Sequence, residues 1–166
     1  MLRRSLAAIA LVVAGAATGL ALHLATAKGD TMFAGKRPDY LGIQDGRLAR
    51  PRSTPNCVSS QADPADKEHY IEPIRFKGTT LEAIAAARKT VEGMARATVV
   101  RNEGNYLYAE FKSNVMGFVD DVEFTYDDKA GVLHVRSASR LGRRDFGVNR
   151  ARVEALRSRI EKHIAA

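Results

Sequence analysis

The chain has 166 residues, 45% of them hydrophobic, with 26 basic and 19 acidic side chains and a formal net charge of +7. That apolar content with interspersed charge excludes an intrinsically disordered chain, and the single cysteine, Cys57, excludes a disulfide-stapled miniprotein. The length excludes an enzyme built from separate cofactor and substrate domains. Arg3 and Arg4 precede 22 residues, Leu6 to Ala27, without a charged side chain. Such a run spans roughly 33 Å as a helix, about the thickness of a bilayer core. The basic tail predicts an N-terminus left in the cytoplasm and a domain on the far side. Residues 1–27 are therefore read as a transmembrane anchor. Ala25-Thr26-Ala27 also fits a signal-peptidase site, so a cleaved leader is the alternative. The domain is then periplasmic, tethered to the inner membrane or secreted. Gly15 and Gly19 make a G-x-x-x-G spacing that an Ala/Gly-rich leader produces by chance.

Residues 28–36 read as a short tether and 37–166 as one domain. The stretch up to Asp66 carries Pro38, Pro51, Pro55, Pro64 and the turn Asp45-Gly46 without a sustained apolar period, as a wrap across the domain would. Tyr70, Ile71, Ile74 and Phe76 predict a short edge strand bent at Pro73. Thr79-Thr80-Leu81-Glu82 is a capping box, and Leu81, Ile84, Ala85, Arg88 and Val91 continue at helical spacing to about residue 93. Four strand patterns follow. Ala97 to Arg101 is β-branched; Leu107, Ala109 and Phe111 alternate with Tyr106, Tyr108 and Glu110; Phe118, Val122, Phe124 and Tyr126 share a face; Leu133 and Val135 alternate with His134 and Arg136. Val153, Leu156, Ile160 and Ile164 predict a C-terminal amphipathic helix with Asn149 as its N-cap. The expected class is α+β: an antiparallel sheet of four to five strands packed by two helices and preceded by a membrane helix.

Asp120 shares its strand face with Phe118, Val122 and Phe124, whereas Asp121 and Glu123 point the other way. A carboxylate on an apolar face is either paired or raised in pKa, which makes Asp120 a candidate acid or base. The structural alternative pairs Asp120, Asp121 and Glu123 with Arg136, Arg140 or Arg150. Adjacent strand carboxylates do not form a close dyad, and His134 and Ser137, three apart on a strand, disfavour a Ser-His-Asp triad. His23, His69, His134, His163 and Cys57 show no metal-ligand spacing, and no cofactor is expected. From Arg136 to Arg159 there are eight arginines against Asp145 and Glu154. Arg150 with Glu154, and Arg157 with Glu161, are four apart and pair along a helix, and Arg152, Arg157 and Arg159 read as solvated. Arg136, Arg140 and Arg150 adjoin the turn around Gly142 and Gly147, where with Ser137 and Ser139 they could hold an anion. No aromatic platform interleaves these arginines, so nucleic acid is not an expected partner.

The strings Pro38-Asp39-Tyr40-Leu41-Gly42, Asp45-Gly46-Arg47-Leu48 and Pro55-Asn56-Cys57-Val58-Ser59-Ser60-Gln61 resemble the opening of the family called domain of unknown function 1499. Phe118 to Phe124, Arg136-Ser137-Ala138-Ser139-Arg140 and Asp145 to Glu154 resemble its later motifs, so the likeness covers roughly residues 37 to 160. The resemblance implies one continuous unit and no reaction. Its polar signature falls on Asn56, Cys57, Ser59, Ser60, Asp120, Asp121, Glu123, Arg136, Ser137, Ser139, Arg140, Asp145, Asn149 and Arg150. Family members often carry a second cysteine six residues before the Cys57 position, where this chain has Pro51. The resemblance also implies that residues 55–61 pack on the sheet near the arginine-rich turn, with Asn56, Ser59 and Ser60 bonding to Asp120 or Arg136.

The expected function is a non-enzymatic, membrane-tethered binding module. Its expected ligand is an anionic small molecule, a lipid headgroup or an envelope protein. The binding set is Asn56, Cys57, Ser59, Ser60, Asp120, Arg136, Ser137, Ser139, Arg140, Asn149 and Arg150. The alternative is a small enzyme using Asp120 or the Cys57 thiol.

Overall fold

A computed structural model describes residues 33–114 and 116–164; the leader and the first residues of the tether lie outside them. The fold is α+β, in the order β1 (Cys57–Ser59), β2 (Ile74–Arg75), α1 (Thr80–Glu92), β3 (Ala97–Glu103), β4 (Tyr106–Lys112), β5 (Val119–Asp127), β6 (Val132–Ser139) and α2 (Val148–Ile164). The strands form one antiparallel sheet in the order β1-β6-β5-β4-β3, and β2 also pairs with β6. β1 runs beside residues 136–138 of β6 and β2 beside 132–133, so two short strands together complete one edge. That gives six strands where four to five were expected. The strand predicted from Tyr70 to Phe76 shrinks to Ile74–Arg75, since Pro73 offers no N–H to the ladder. Among the described residues no helix is long and apolar enough to cross a membrane.

α1 starts as its capping box dictates. The Thr79 hydroxyl accepts from the Glu82 N–H, and the Glu82 carboxylate accepts from the Thr79 N–H. Its buried face, Ala83, Ile84, Ala87 and Val91, meets Val153, Leu156 and Ile160 of α2 over Leu107, Val122, Phe124, Leu133 and Val135 of the sheet. Both helices therefore lie on one face, as the alternation requires. The start of α2 departs from expectation. Asn149 lies inside the helix and is fully buried, and the end is capped by Asp145, whose carboxylate accepts from the N–H groups of Gly147 and Asn149.

The opposite face of the sheet is not the solvated surface that the pattern of Tyr106, Tyr108 and Glu110 suggests. Residues 33–52 cross it as a strap. Leu48 is buried against Tyr106 and Tyr108, with Leu41 packed beside them. Tyr106, Tyr108, Asp121, Glu123, Thr125 and Arg136 are all buried beneath. The polar face has become a second interior.

Candidate functional site

Polar residues gather in two clusters, one on each face of the sheet. Under the strap, cross-strand register sets Glu123 opposite Arg136, and the pair meets at 3.0 Å with both side chains at most 1% exposed. The Glu123 carboxylate also accepts from the Gly42 N–H and the Tyr106 hydroxyl, each at 2.8 Å. The Tyr40 ring lies 5.4 Å from the Arg136 guanidinium, a cation–π distance. One row along, Arg140 donates to Asp121 and Glu110, and Arg37 of the strap donates to Glu110 from the other side. The Tyr108 hydroxyl lies 2.6 Å from Asp121 and 2.9 Å from Glu110. Burial, reinforced by these carboxylates, pushes both tyrosines well above their ordinary pKa. Three carboxylates face three guanidiniums, so the cluster neutralises itself.

The second cluster centres on Asn149. Its side-chain carbonyl accepts from Ser137 at 2.6 Å and Arg152 at 2.7 Å. Its amide donates to Ser139, Asp145 and the Asn56 carbonyl. Arg152 also bonds Asp120 and sits 5.1 Å from the Phe111 ring. The partner of Asp120 is therefore Arg152, not Arg136, Arg140 or Arg150. Arg152, read as solvated, is the residue the sequence reading missed. The available signal was its position three residues after Asn149, on the same helix face.

Arg136, Arg140 and Arg150 do not converge on one anion site. The first two serve the strap cluster, and Arg150 donates to the carbonyls of Lys67, Glu68 and Tyr70. Arg157 pairs with Glu154 instead of Glu161 and donates to the carbonyls of Glu72 and Pro73. These helix arginines are struts for the loop before β2.

Residues 55–61 do pack against β6 near the turn, but with other partners than Asp120 or Arg136. The Asn56 amide donates to the Gly142 carbonyl at 2.7 Å. The Ser59 hydroxyl accepts from the Gln61 N–H. The Ser60 hydroxyl accepts from the Val135 N–H and lies 3.1 Å from His134 Nδ1. Burial lowers the His134 pKa, which disfavours the imidazolium at this contact. This part-buried contact latches the exit of β1. Cys57 is 3% exposed, and burial pushes its thiol pKa up, which disfavours the thiolate.

What opens to solvent beside the second cluster is a cleft of about 340 Å³ between the loops at 113–118 and 140–148. Its walls are Phe118, Leu141, Phe146 and Val148; Asp120 and Ser139 line it deeper, and Arg144 stands at its rim. Asp120 is neutralised by Arg152, and Asp145 is taken up by the helix cap. Phe146 is 95% exposed and has φ +54°, a left-handed conformation that a non-glycine residue adopts at a cost. Arg143 and Arg144 are exposed, and among the described residues no ion pair or side-chain hydrogen bond engages either guanidinium. A larger cavity of about 660 Å³ between the strap and the 61–69 loop mixes Arg47, Arg50 and Arg52 with Asp63 and Asp66 and shows no preference for one charge. Among the described residues no group of three His, Cys, Asp or Glu side chains is placed to hold a metal ion.

A family model described as protein of unknown function, DUF1499, matches residues 47–160. It runs from the end of the strap through β1 into α2 and includes the whole second cluster and the sheet residues of the strap cluster, but not Arg37, Tyr40 and Gly42 of the strap. No curated protein matches the chain.

Proposed function

Because the chain belongs to the DUF1499 family of proteins of unknown function, whose name supplies no reaction, we propose a function from its own residues: a non-enzymatic, membrane-tethered periplasmic module that binds an anionic amphiphile. The apolar part enters the cleft beside Phe118, Leu141 and Val148, and the anionic head meets Arg143 and Arg144. One observation carries the reading. The cleft has apolar walls, deeper charges already neutralised within the protein, and at its rim Arg144, which like its exposed neighbour Arg143 has no partner among the described residues. A small-molecule site commonly has this make-up of an apolar enclosure with a few placed polar groups, and about 340 Å³ lies at the lower end of the usual size. The uncharged run Leu6–Ala27 behind Arg3 and Arg4 supports the inner-membrane anchor and the periplasmic side.

A thiol enzyme draws no support from a buried Cys57 with a raised pKa, and acid–base use of Asp120 draws none from its pairing with Arg152. The test is lipid analysis of the full chain extracted from membranes in mild detergent. Wild type should retain anionic lipid above its share of the bulk membrane. Val148→Asp and the pair Arg143→Glu/Arg144→Glu should lose that enrichment while keeping the same circular dichroism. Equal retention in all three would remove the cleft from consideration.

A further inference from the structure

The two loops that frame the cleft leave the same end of the sheet, where β4 stops, β5 starts and β6 stops. That end gathers four of the large exposed apolar side chains: Met116 at 47%, Leu141 at 42%, Phe146 at 95% and Val148 at 51%. Arg143 and Arg144 extend into solvent from the same loop. A soluble surface rarely groups exposed apolar residues in this way unless they meet a partner. Phe146 stands out further, because its backbone is held left-handed while its ring makes almost no internal contact.

The position of the chain's N-terminal side identifies the partner. The first described residue, Phe33, packs its ring 5.4 Å from that of Phe118. Two residues on, Gly35 passes so close to the tip that a Cβ there would meet the Arg140 Cβ at 2.9 Å and the Leu141 Cγ at 3.0 Å. The chain therefore reaches the domain at its apolar end. From Ala27 to Phe33 is six Cα steps, at most about 20 Å of chain. A leader anchored in a bilayer thus holds this end, and not the opposite one, near the membrane surface. Apolar side chains flanked by arginines without a partner among the described residues match the composition of a surface that sits at the headgroup boundary of an anionic membrane.

We infer that the tip formed by Met116, Leu141, Phe146 and Val148 docks on the anionic bilayer that carries the leader, with Phe146 inserted among the acyl chains and Arg143 and Arg144 in the headgroup layer. The cleft then opens toward the bilayer, so its amphiphile comes from the membrane and not from the aqueous phase. This inference rests on the proposed function for the retained anchor, but not for the filled cleft.

The chain contains no tryptophan, so Phe146→Trp introduces a sole indole at a side chain with little packing to lose. Leu81→Trp is the control: Leu81 is 78% exposed on the first turn of α1, and neighbouring Thr80 bonds Asp128 in the turn at the far end of β5. Each full-length variant is reconstituted into phosphatidylethanolamine–phosphatidylglycerol vesicles containing brominated phospholipid. Insertion to a depth of about 5–10 Å should blue-shift the Phe146→Trp emission and quench roughly half of it. The Leu81→Trp emission should stay red and unquenched. Quenching should fall when phosphatidylcholine replaces the anionic lipid. An unquenched Phe146→Trp overturns the inference, and so does equal quenching at both positions. A blue shift without quenching also overturns it and assigns the tip to a second copy of the chain. Quenching without lipid retention leaves docking in place and removes only the filled cleft; retention without quenching does the reverse.

Discussion

Replacing Glu123 with Gln tests whether the sheet's second interior depends on a charge. The carboxylate accepts three hydrogen bonds, from the Gly42 N–H, the Tyr106 hydroxyl and the Arg136 guanidinium, at 0% side-chain exposure. A glutamine keeps one acceptor oxygen and turns an NH2 group toward either the Gly42 N–H and Tyr106 hydroxyl or Arg136. One donor is then left facing another donor. The larger loss is that Arg136, 1% exposed and with an Nε that already lacks a hydrogen-bond partner, keeps its charge without a counter-ion. Breaking one side of a buried pair costs about 3–5 kcal/mol. For a domain of this size that is a fall in Tm of roughly 10–20 °C. Urea denaturation of the full chain in detergent, followed by circular dichroism, measures the loss. Limited trypsin digestion at the exposed Arg47, Arg50 and Arg52 should report earlier release of the strap. Glu123→Leu with Arg136→Met removes both charges and should recover part of the stability, because an apolar pair has no buried charge to compensate. If Glu123→Gln alone costs under about 1 kcal/mol, the pair is not a dry ion pair and the account of this face fails.

Four further outcomes follow from particular contacts. Asn149→Ala should cost about 3 kcal/mol in the same denaturation assay, since Ser137, Ser139 and Arg152 lose a buried partner together. Phe146→Asn should raise stability by about 1 kcal/mol, because asparagine tolerates the left-handed backbone and little packing is lost, yet it should abolish docking on anionic vesicles. The Cys57 thiol should stay silent to a disulfide reagent at neutral pH until the chain is unfolded. Stability should fall in two steps on acidification. Burial depresses the His134 pKa, so the unfolded chain takes up a proton below about pH 6.5 that the folded one resists, and stability present at pH 7 declines toward pH 5. Burial raises the Glu110 carboxyl, but hydrogen bonds from Arg140 and Arg37 outweigh it and hold the pKa below the usual value. The stability Glu110 contributes is therefore full above about pH 4.3 and lost as pH falls through its folded value. His134→Gln should flatten the first step and leave the second, as read by urea midpoints across pH.

What was legible in the sequence was local. The capping box of Thr79 and Glu82 places the start of α1, and the alternation of Leu107, Ala109 and Phe111 and of Val122, Phe124 and Tyr126 gives the core face of the sheet. The strap face was hidden because Tyr106, Tyr108 and Glu110 look like a solvated row when their partners are out of sight. Those partners include a backbone N–H at Gly42 and a guanidinium at Arg37, more than 70 residues away and without periodicity. The alternation marks Asp120 as a carboxylate on an apolar face, but charge counting alone does not show which of the eight arginines from Arg136 to Arg159 answers it. Phe146 gave no signal either, since an aromatic between Asp145 and Gly147 reads as an ordinary turn until its exposure is known.

The strap also constrains the order in which the molecule folds. Arg37, Tyr40 and Gly42 are among the first domain residues to be synthesised, yet each meets a partner that follows much later: Glu110, Arg136 and Glu123. β1 waits in the same way for residues 136–138. The β3–β4 hairpin and the β4-β5-β6 meander form from neighbours, whereas one sheet edge and one whole face remain uncovered until β6 is in place. Closing two long loops late makes for slow completion. The start of the strap waits as well, since Phe33 packs on Phe118 and Gly35 passes close over Arg140 and Leu141, all of them late in the chain.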